Sequence, residues 1–212
     1  MTVAPRPLPG LDLDPELVEL VGRTAGLQPW RRIFHAASGI VVALVPPVLG
    51  LSRGTVVSIL APLLAMAVAA DAVRLRCPRI NALFFTLFPS LASPREATRI
   101  SSSTWYLAGV LLAYALFPGR LVMPAILVLA LADPLAGLIG RVWGRRRLGK
   151  GTVLGSVVFL AVSAAVLSGF VEPAAALVAA LMVTTIEVVP WELDDNLTVP
   201  LVAAGALWLI GG

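Results

Sequence analysis

Seven apolar runs separated by short polar breaks occupy the chain from residue 36 onward, and they limit what it can fold into. They lie near 36–51, 54–73, 104–117, 120–140, 153–170, 173–189 and 197–210. A helix that crosses the hydrocarbon core of a bilayer needs about 20 mainly apolar residues. Most of the runs approach that length, while the third and the last are short. Soluble domains carry about 25% charged residues, whereas this chain of 212 residues has 13%, against 58% apolar. A water-soluble globule is thereby excluded. One cysteine, Cys77, also excludes an internal disulfide. The expectation is an all-α polytopic membrane protein of about seven transmembrane helices.

Residues 1–30 alone read as soluble. The run Pro5, Pro7, Pro9 predicts an extended or disordered start. Asp14 is placed to cap a helix with Pro15 at its first position. Leu17, Leu20 and Val21 fall at i, i+3 and i+4, so a short amphipathic helix on the membrane surface is expected. It lacks the apolar core and small-residue cleavage site of a signal peptide. Segment 79–92, with Ile80, Leu83, Phe84, Phe85, Leu87 and Phe88, is apolar but too short to cross, and predicts an interfacial or partly re-entrant helix. The division expected is therefore 1–30, a cytoplasmic N-terminal segment, and 31–212, an integral membrane domain.

Cytoplasmic loops are rich in Lys and Arg. With the N-terminus inside, fourteen of the sixteen basic residues fall on the inner side, and Arg53 and Arg120 alone on the outer. This predicts a cytoplasmic N-terminus and an outer C-terminus. It also explains the net charge of +4 without nucleic acid as a partner.

An ionisable group at the centre of a membrane helix costs roughly 2.5–3.5 kcal/mol on insertion scales. The polar residues in or beside the runs therefore carry information: His35, Asp71, Asn81, Glu96, Asp133, Glu187, Asp194, Asp195 and Asn196. All belong near the cytoplasmic ends. The pattern predicts one site open to the cytoplasm and partly sunk in the inner leaflet, not a path through the membrane.

Asp133 lies about two turns, or roughly 10 Å, inside the end of its run, and Pro134 should kink or break the helix. Gly137, Gly140 and Gly144 make a bare helical face for another backbone or a ligand, beside Arg141. The basic loop then closes in Gly149-Lys150-Gly151 before a new helix with Gly155-Ser156. Backbone N–H groups at a helix start, flexible glycines and a lysine favour a polyphosphate. Packing and positive-inside bias are the plain alternatives.

Glu187, Asp194, Asp195 and Asn196, followed by Leu197 and Pro200, form a second group. Its hard oxygen ligands suit Mg²⁺, which is held by one or two carboxylates plus substrate phosphates. One of the two aspartates should cap the last helix, leaving Asp195 and Asn196 toward the site. Arg31, Arg32 and His35 form a third group, with Arg31 and His35 on one helical face; topology and anionic-lipid attraction are the alternative reading. A fourth comprises Asp71, Arg74, Asn81, Arg95, Glu96, Arg99, Ser102 and Trp105, in which Asp71 and Arg74 are spaced to pair.

Taken in order, Arg31-Arg32-x-x-His35-x-x-x-Gly39, Asp71-x-x-Arg74 with Asn81, Arg95-Glu96 with Ser102 and Trp105, Asp133-Pro134-x-Ala136-x-x-Gly140 with Gly149-Lys150-Gly151, and Glu187 with Asp194-Asp195-Asn196-Leu197-x-x-Pro200 resemble one family. It is that of the CTP-dependent membrane lipid kinases, which includes dolichol kinase, phytol kinase and the CTP-using diacylglycerol kinase. The likeness covers about residues 31–200. It implies phosphoryl transfer from CTP to the hydroxyl of a membrane lipid alcohol (polyprenol, phytol or diacylglycerol) on the cytoplasmic face. It also implies a nucleotide-binding stretch over 133–156, and places the basic pair and Asp133 among the essential positions.

On that basis Asp133, Lys150 and Arg31 are candidate catalytic residues. Arg32, Gly137, Gly140, Arg141, Gly149, Gly151 and Asn196 are candidates for the nucleotide. Glu187, Asp195 and Asp194 are candidates for Mg²⁺. His35, Asp71, Arg74, Asn81, Arg95, Glu96 and Trp105 are expected in support. Asp133 could serve as base or as second metal ligand. Two alternatives remain open. A CTP:phosphatidate cytidylyltransferase shares an Asp…Gly…Gly…Lys segment, but its Ser-Pro-Lys-Lys-Thr run and terminal Lys-Arg…Lys-Asp motif are not found. A small lipid transporter would need polar residues through the whole bilayer depth.

Overall fold

The computed structural model describes residues 15–211. The proline run and the expected Asp14 cap lie outside them. The described residues form nine α-helices: α1 (Pro15–Arg23), α2 (Pro29–Val48), α3 (Arg53–Arg76), α4 (Pro78–Leu87), α5 (Ser102–Leu116), α6 (Gly119–Trp143), α7 (Val153–Leu167), α8 (Pro173–Val188) and α9 (Asp195–Leu209). A 3-10 turn, Pro94–Ala97, precedes α5. A minimal antiparallel ladder pairs Arg147 with Thr152 and Leu148 with Gly151 between α6 and α7.

Short polar caps set the helix starts. Ser52 accepts from Thr55 N for α3, Ser101 from Thr104 N for α5, Thr152 from Gly155 N for α7, and Glu172 from the N–H groups of Ala174 and Ala175 for α8. Each satisfies a backbone donor that the helix itself leaves open. α6 is the central element and packs against α2, α7 and α9. Its Val122, Ala125, Ile126, Val128, Leu129 and Ala132 are fully buried. α9 packs against α6 and α8, and Ala176, Ala179 and Ala180 of α8 share its core with Ala203, Ala204 and Ala206 of α9. Small residues let membrane-type helices approach closely where no water drives them together.

Each of the seven apolar runs is a helix. By length and composition, α3 and α6 are long and apolar enough to cross a membrane. They differ in what covers them: 56% of the apolar window of α6 is buried in the protein, but only 17% of that of α3. The apolar surface of α3, including Ile59, Leu63, Met66 and Val68, therefore faces outward. α5, α7, α8 and α9 have 15 or 16 residues. At 1.5 Å per residue they extend about 23 Å, short of the hydrocarbon thickness of about 30 Å. α2 has 20 residues, but Arg31, Arg32 and His35 occupy its opening turns.

Two local expectations need revision. α6 is not broken at Pro134 but runs on to Trp143, because helices on several sides hold it in place. The amphipathic face of α1 does not lie against lipid. Leu17 and Val21 are buried with Phe85, Ala92 and Ala97, so α1 closes over α4 and the 3-10 turn. Segment 79–92 is a short helix as its length required, with Phe85 turned inward.

Candidate functional site

The starts of α2, α5, α7 and α9 and the ends of α3, α6 and α8 come together at one end of the bundle, and the candidate residues lie there. Arg31 donates to Ser102 Oγ at 2.6 Å and lies 3.4 Å from Glu96, joining α2 to α5. Arg32 donates to the carbonyl of Pro134 at 3.1 Å and to that of Leu27 at 3.1 Å, joining α2 to α6. Lys150, at the turn of the two-stranded ladder, pairs with Asp195 at the start of α9, and its N–H donates to Val188 O at the end of α8 at 3.3 Å.

Asp133 is the common neighbour of these groups. Its charge acts on Arg32, Glu187, Asp194 and Asp195. It makes no hydrogen bond or ion pair with the described residues, so its half-buried carboxylate is available to a ligand. Glu187 also lies near Lys150, and its Oε2 is buried without a partner. Ser156 stands beside the Glu187 carboxyl, yet its Oγ makes no hydrogen bond of good geometry.

The electrostatics follow from crowding. Burial pushes Asp195 up to about 6; the Lys150 hydrogen bond opposes this and the Asp133 charge adds to it. Asp194 is raised mainly by burial, against the hydrogen bonds from Asn196. Burial and the nearby Arg141 hold Arg32 below the ordinary guanidinium value, and Asp133 opposes them. Asp133, Glu187, Asp194 and Asp195 thus share a small region with Arg31, Arg32 and Lys150, and of the four carboxylates only Asp195 is held in an ion pair among the described residues, with Lys150. Such a place suits a ligand that brings both signs, as a polyphosphate with a divalent cation does.

Among the described residues no three carboxylate, histidine or cysteine side chains form a ready metal cluster. The donor set nevertheless fits Mg²⁺, which keeps several waters and takes one or two carboxylates plus phosphate oxygens. Asp195 and the unpartnered Glu187 Oε2 can supply those two. Asp194 caps α9, its Oδ1 accepting from Asn196 N at 3.0 Å and Asn196 Nδ2 at 2.7 Å. The side chain of Asn196 is thereby turned to Asp194.

The glycines divide by role. A Cβ on Gly137 would overlap the Arg32 guanidinium, so this bare position seats Arg32. At Gly140 a Cβ would come within 2.8 Å of Thr152 Oγ1 and 3.2 Å of Gly155 Cα, which makes it a close-packing position between α6 and α7. Gly149 has φ +51° and a Cβ there would strike the Val188 carbonyl, so the Lys150 turn requires glycine. Gly151 has room toward Glu187 Oε1, 3.9 Å from its would-be Cβ. Arg141 donates to Gly26 O at 2.8 Å and ties down the α1–α2 connection.

Asp71, Arg74 and Asn81 are not at the site but form a buried scaffold behind it. Asp71 pairs with Arg74 at 2.6 Å and accepts from Ser101 N, Ser101 Oγ and Thr104 Oγ1. Arg74 reaches Asn81 Oδ1 and the carbonyls of Glu96 and Arg99, while Asn81 Nδ2 donates to Ala97 O. The network fixes the 93–101 loop. Glu96 then accepts from Ser93 N and Ser102 N and faces Arg31. Arg95 is exposed, and Trp105 is half-buried in the first turn of α5. His35 stacks edge-on against Tyr106 with ring centroids 5.5 Å apart, one turn deeper than Arg31.

Sequence reading passed over Thr152 and Gly109. Thr152 both caps α7 and packs on α6; a small hydroxyl residue three before a glycine was its signal. Gly109 seats the start of α9, since a Cβ there would strike the Asn196 carbonyl, and nothing in one sequence marks it.

Comparison with known proteins gives one distant relative, the CTP-dependent diacylglycerol kinase 1 of Eremothecium gossypii, 26% identical over 110 residues. The aligned stretch is 49% of this chain and 35% of the relative, so the chain spans well under half the length of the kinase it matches. No family model matches, and no solved structure matches. The likeness supports a CTP-dependent lipid kinase relationship in general and no particular member.

Proposed function

We propose that this chain is a membrane lipid-alcohol kinase that transfers the γ-phosphate of CTP to the hydroxyl of a polyprenol, phytol or diacylglycerol at the cytoplasmic face. The observation that carries the reading is Asp133: a carboxylate without hydrogen bond or ion pair, within the field of Arg32, Glu187, Asp194 and Asp195, at one end of an apolar bundle. The diacylglycerol kinase relative supports CTP as donor and a lipid as acceptor.

Phosphoryl transfer asks little covalent chemistry of a protein; it needs positioning and charge neutralisation. Lys150, Arg31 and Arg32 hold the triphosphate, with the Gly149 and Gly151 backbone beside them. Asp195 and Glu187 would hold Mg²⁺, with the free part of Asp194 beside them. The metal supplies neutralisation of the phosphate oxygens when bound. The lipid oxygen forms a bond to the γ-phosphorus as the bond to the β,γ-bridging oxygen breaks, and CDP departs. Asp133 takes the hydroxyl proton or orients the acceptor as a further metal ligand.

Incubating the full chain in detergent with γ-³²P-CTP, Mg²⁺ and a panel of lipid alcohols tests the reading. Label in the lipid is expected, lost on chelation of Mg²⁺. Labelled pyrophosphate with a CDP-lipid would establish cytidylyl transfer instead. Asp133→Ala, Lys150→Ala and Asp195→Ala should each abolish transfer without loss of membrane insertion. If all three remain active, the site is elsewhere.

A further inference from the structure

Two arginines of the site are held by main-chain carbonyls of one short segment, the connection between α1 and α2. Arg141, in the last turn of α6, donates to Gly26 O at 2.8 Å. Arg32, in the first turn of α2, donates through Nε to Leu27 O at 3.1 Å. Gly137 seats the Arg32 guanidinium, and Arg141 stands one helical turn beyond Gly137 on the same face of α6. The two cations are therefore neighbours, and the charge of Arg141 repels that of Arg32. Neither makes an ion pair with the described residues.

Like charges drawn together and bonded to neutral carbonyls form an arrangement that an anion improves. A bond from guanidinium to phosphate is roughly twice as strong as one to a neutral acceptor, and a phosphate between the two cations offsets their repulsion. The carbonyls cost little to displace, because Gly26 and Leu27 are exposed and water can take their place as donor.

The segment is fixed at its ends and weakly held between them. Thr24 is buried and its hydroxyl donates to Val21 O at 2.8 Å, while Gln28 Nε2 donates to Ala92 O at 2.9 Å. Among the described residues no other hydrogen bond reaches Gly26 or Leu27. Gly26 has φ +114°, and Gln28 is the one non-glycine described residue with a positive φ, +49°. That left-handed conformation is costly for a residue with a side chain, so release of the connection also relieves Gln28.

We propose that Arg32 and Arg141 form a single phosphate subsite, that the carbonyls of Gly26 and Leu27 occupy it in place of phosphate oxygens, and that a phosphate group entering between the guanidiniums releases the α1–α2 connection. The connection is thus a strap over the site that ligand binding opens. This deepens the kinase reading and rests on it for the source of the phosphate, the triphosphate of the nucleotide. Anionic lipid headgroups carry the same group, so the two sources are tested separately.

The full chain with Cys77→Ser and Leu27→Cys, carrying a nitroxide at position 27, is placed in phosphatidylcholine nanodiscs and its mobility read by electron paramagnetic resonance. Mg²⁺-CTP and Mg²⁺-tripolyphosphate should each raise the mobile component at least twofold. Phosphatidate in the nanodisc, without nucleotide, should leave the spectrum unchanged. Arg141→Ala, at an exposed position, should show the mobile component before any addition and weaken tripolyphosphate binding about tenfold by calorimetry. Arg23→Ala, which removes an exposed arginine paired within α1 to Glu19, should change neither.

A label unchanged by nucleotide and tripolyphosphate overturns the proposal, as does one mobilised by phosphatidate alone or one that stays fixed in Arg141→Ala. Mobilisation by CTP with no lipid phosphorylated would keep the strap and remove the kinase reading. Phosphoryl transfer with a fixed label would do the reverse.

Discussion

Gly137→Ala separates two explanations of the glycine face on α6. If Gly137 exists to admit a nucleotide, its methyl group should obstruct CTP directly. If it seats Arg32, the damage should pass through that side chain. A Cβ at position 137 would overlap Arg32 Nη1, and the next two nearest atoms, at 3.3 Å, are also of the Arg32 guanidinium. The closest clash is with the end of a flexible side chain, so the fold should survive. Replacing a helical glycine by alanine favours the helix by up to about 1 kcal/mol, worth no more than about 4 °C in Tm for a chain of this size. The displaced guanidinium loses its hydrogen bond to Pro134 O and its place beside Asp133. A hydrogen bond to a charged group contributes about 1.5–3 kcal/mol, which converts to a fall of about 10- to 150-fold in kcat/KM. The assay is initial-rate transfer from CTP for Gly137→Ala, Arg32→Ala and the double variant, with Tm recorded for each. The two single changes should be strongly non-additive, the double variant being little worse than Arg32→Ala alone. Additive losses, or an active Gly137→Ala beside a dead Arg32→Ala, would refute the seating argument.

Asp71→Ala should act on stability before chemistry. It leaves the buried Arg74 guanidinium without its ion pair and strips acceptors from Ser101 and Thr104, a change of about 3–5 kcal/mol that should appear as lost folded yield in detergent. The folded remainder should keep its KM for CTP. Gly149→Ala puts a side chain at φ +51° and against the Val188 carbonyl, so the Lys150 turn should come off α8 and Mg²⁺-CTP binding, read by calorimetry, should fall more than tenfold. The pH dependence follows from Asp195, raised to about 6 from 3.8. A raised carboxyl contributes most to stability below its unfolded value, and that contribution is lost as pH rises through about 6. Activity runs the other way, because pairing with Lys150 and metal binding both need the carboxylate. Transfer should therefore fall about tenfold per pH unit below 6 while Tm does not fall with it; parallel losses would assign the acid limb to unfolding.

The helices were legible because apolar runs are local, and the seven runs became helices at their expected places. Of the described caps, the sequence marked one of Asp194 and Asp195 for the last helix, whereas Ser52, Ser101, Thr152 and Glu172 emerged from the structure. Pairing within one helix was legible for the same reason: Asp71 and Arg74, three residues apart, form the ion pair that their spacing required. Long-range partnership was not. Gly137 read as open surface because Arg32 stands 105 positions away in sequence, and the opposite face of α6 is created by packing. The glycines at 140 and 144 follow the same logic, having been taken up by Thr152 and α7. α1 has an amphipathic pattern that specifies burial of one face but not of what against what. Phe85 and Ala97 supply that answer from distant segments. Pro134 removes one hydrogen bond from α6, a deficit that neighbouring helices can hold against.

The two ends of the bundle bear on whether such a protein moves lipid or modifies it. At the end opposite the site, Arg53 reaches the Ala115 carbonyl and Glu172 caps α8, so these charges close helix termini. At the site end the charges exceed the needs of capping: Asp194 caps α9, whereas Asp133 makes no cap or pair and Asp195 engages Lys150. Deeper polar groups are confined to small or aromatic side chains, with His35 against Tyr106 one turn in and Ser163 along α7. A transporter needs a graded series of such groups from one end to the other, since each displaced hydration shell must be replaced along the way. Here Asp133, Glu187, Asp194 and Asp195 gather with Arg31, Arg32 and Lys150 at one end of the bundle. On the proposed reading, a water-soluble donor and a lipid acceptor would meet at Asp133 without either having to cross. Cysteine substitutions beside Asp133 and Glu187 should accordingly react with membrane-impermeant maleimide from the N-terminal side only. Reaction from the opposite side would favour transport.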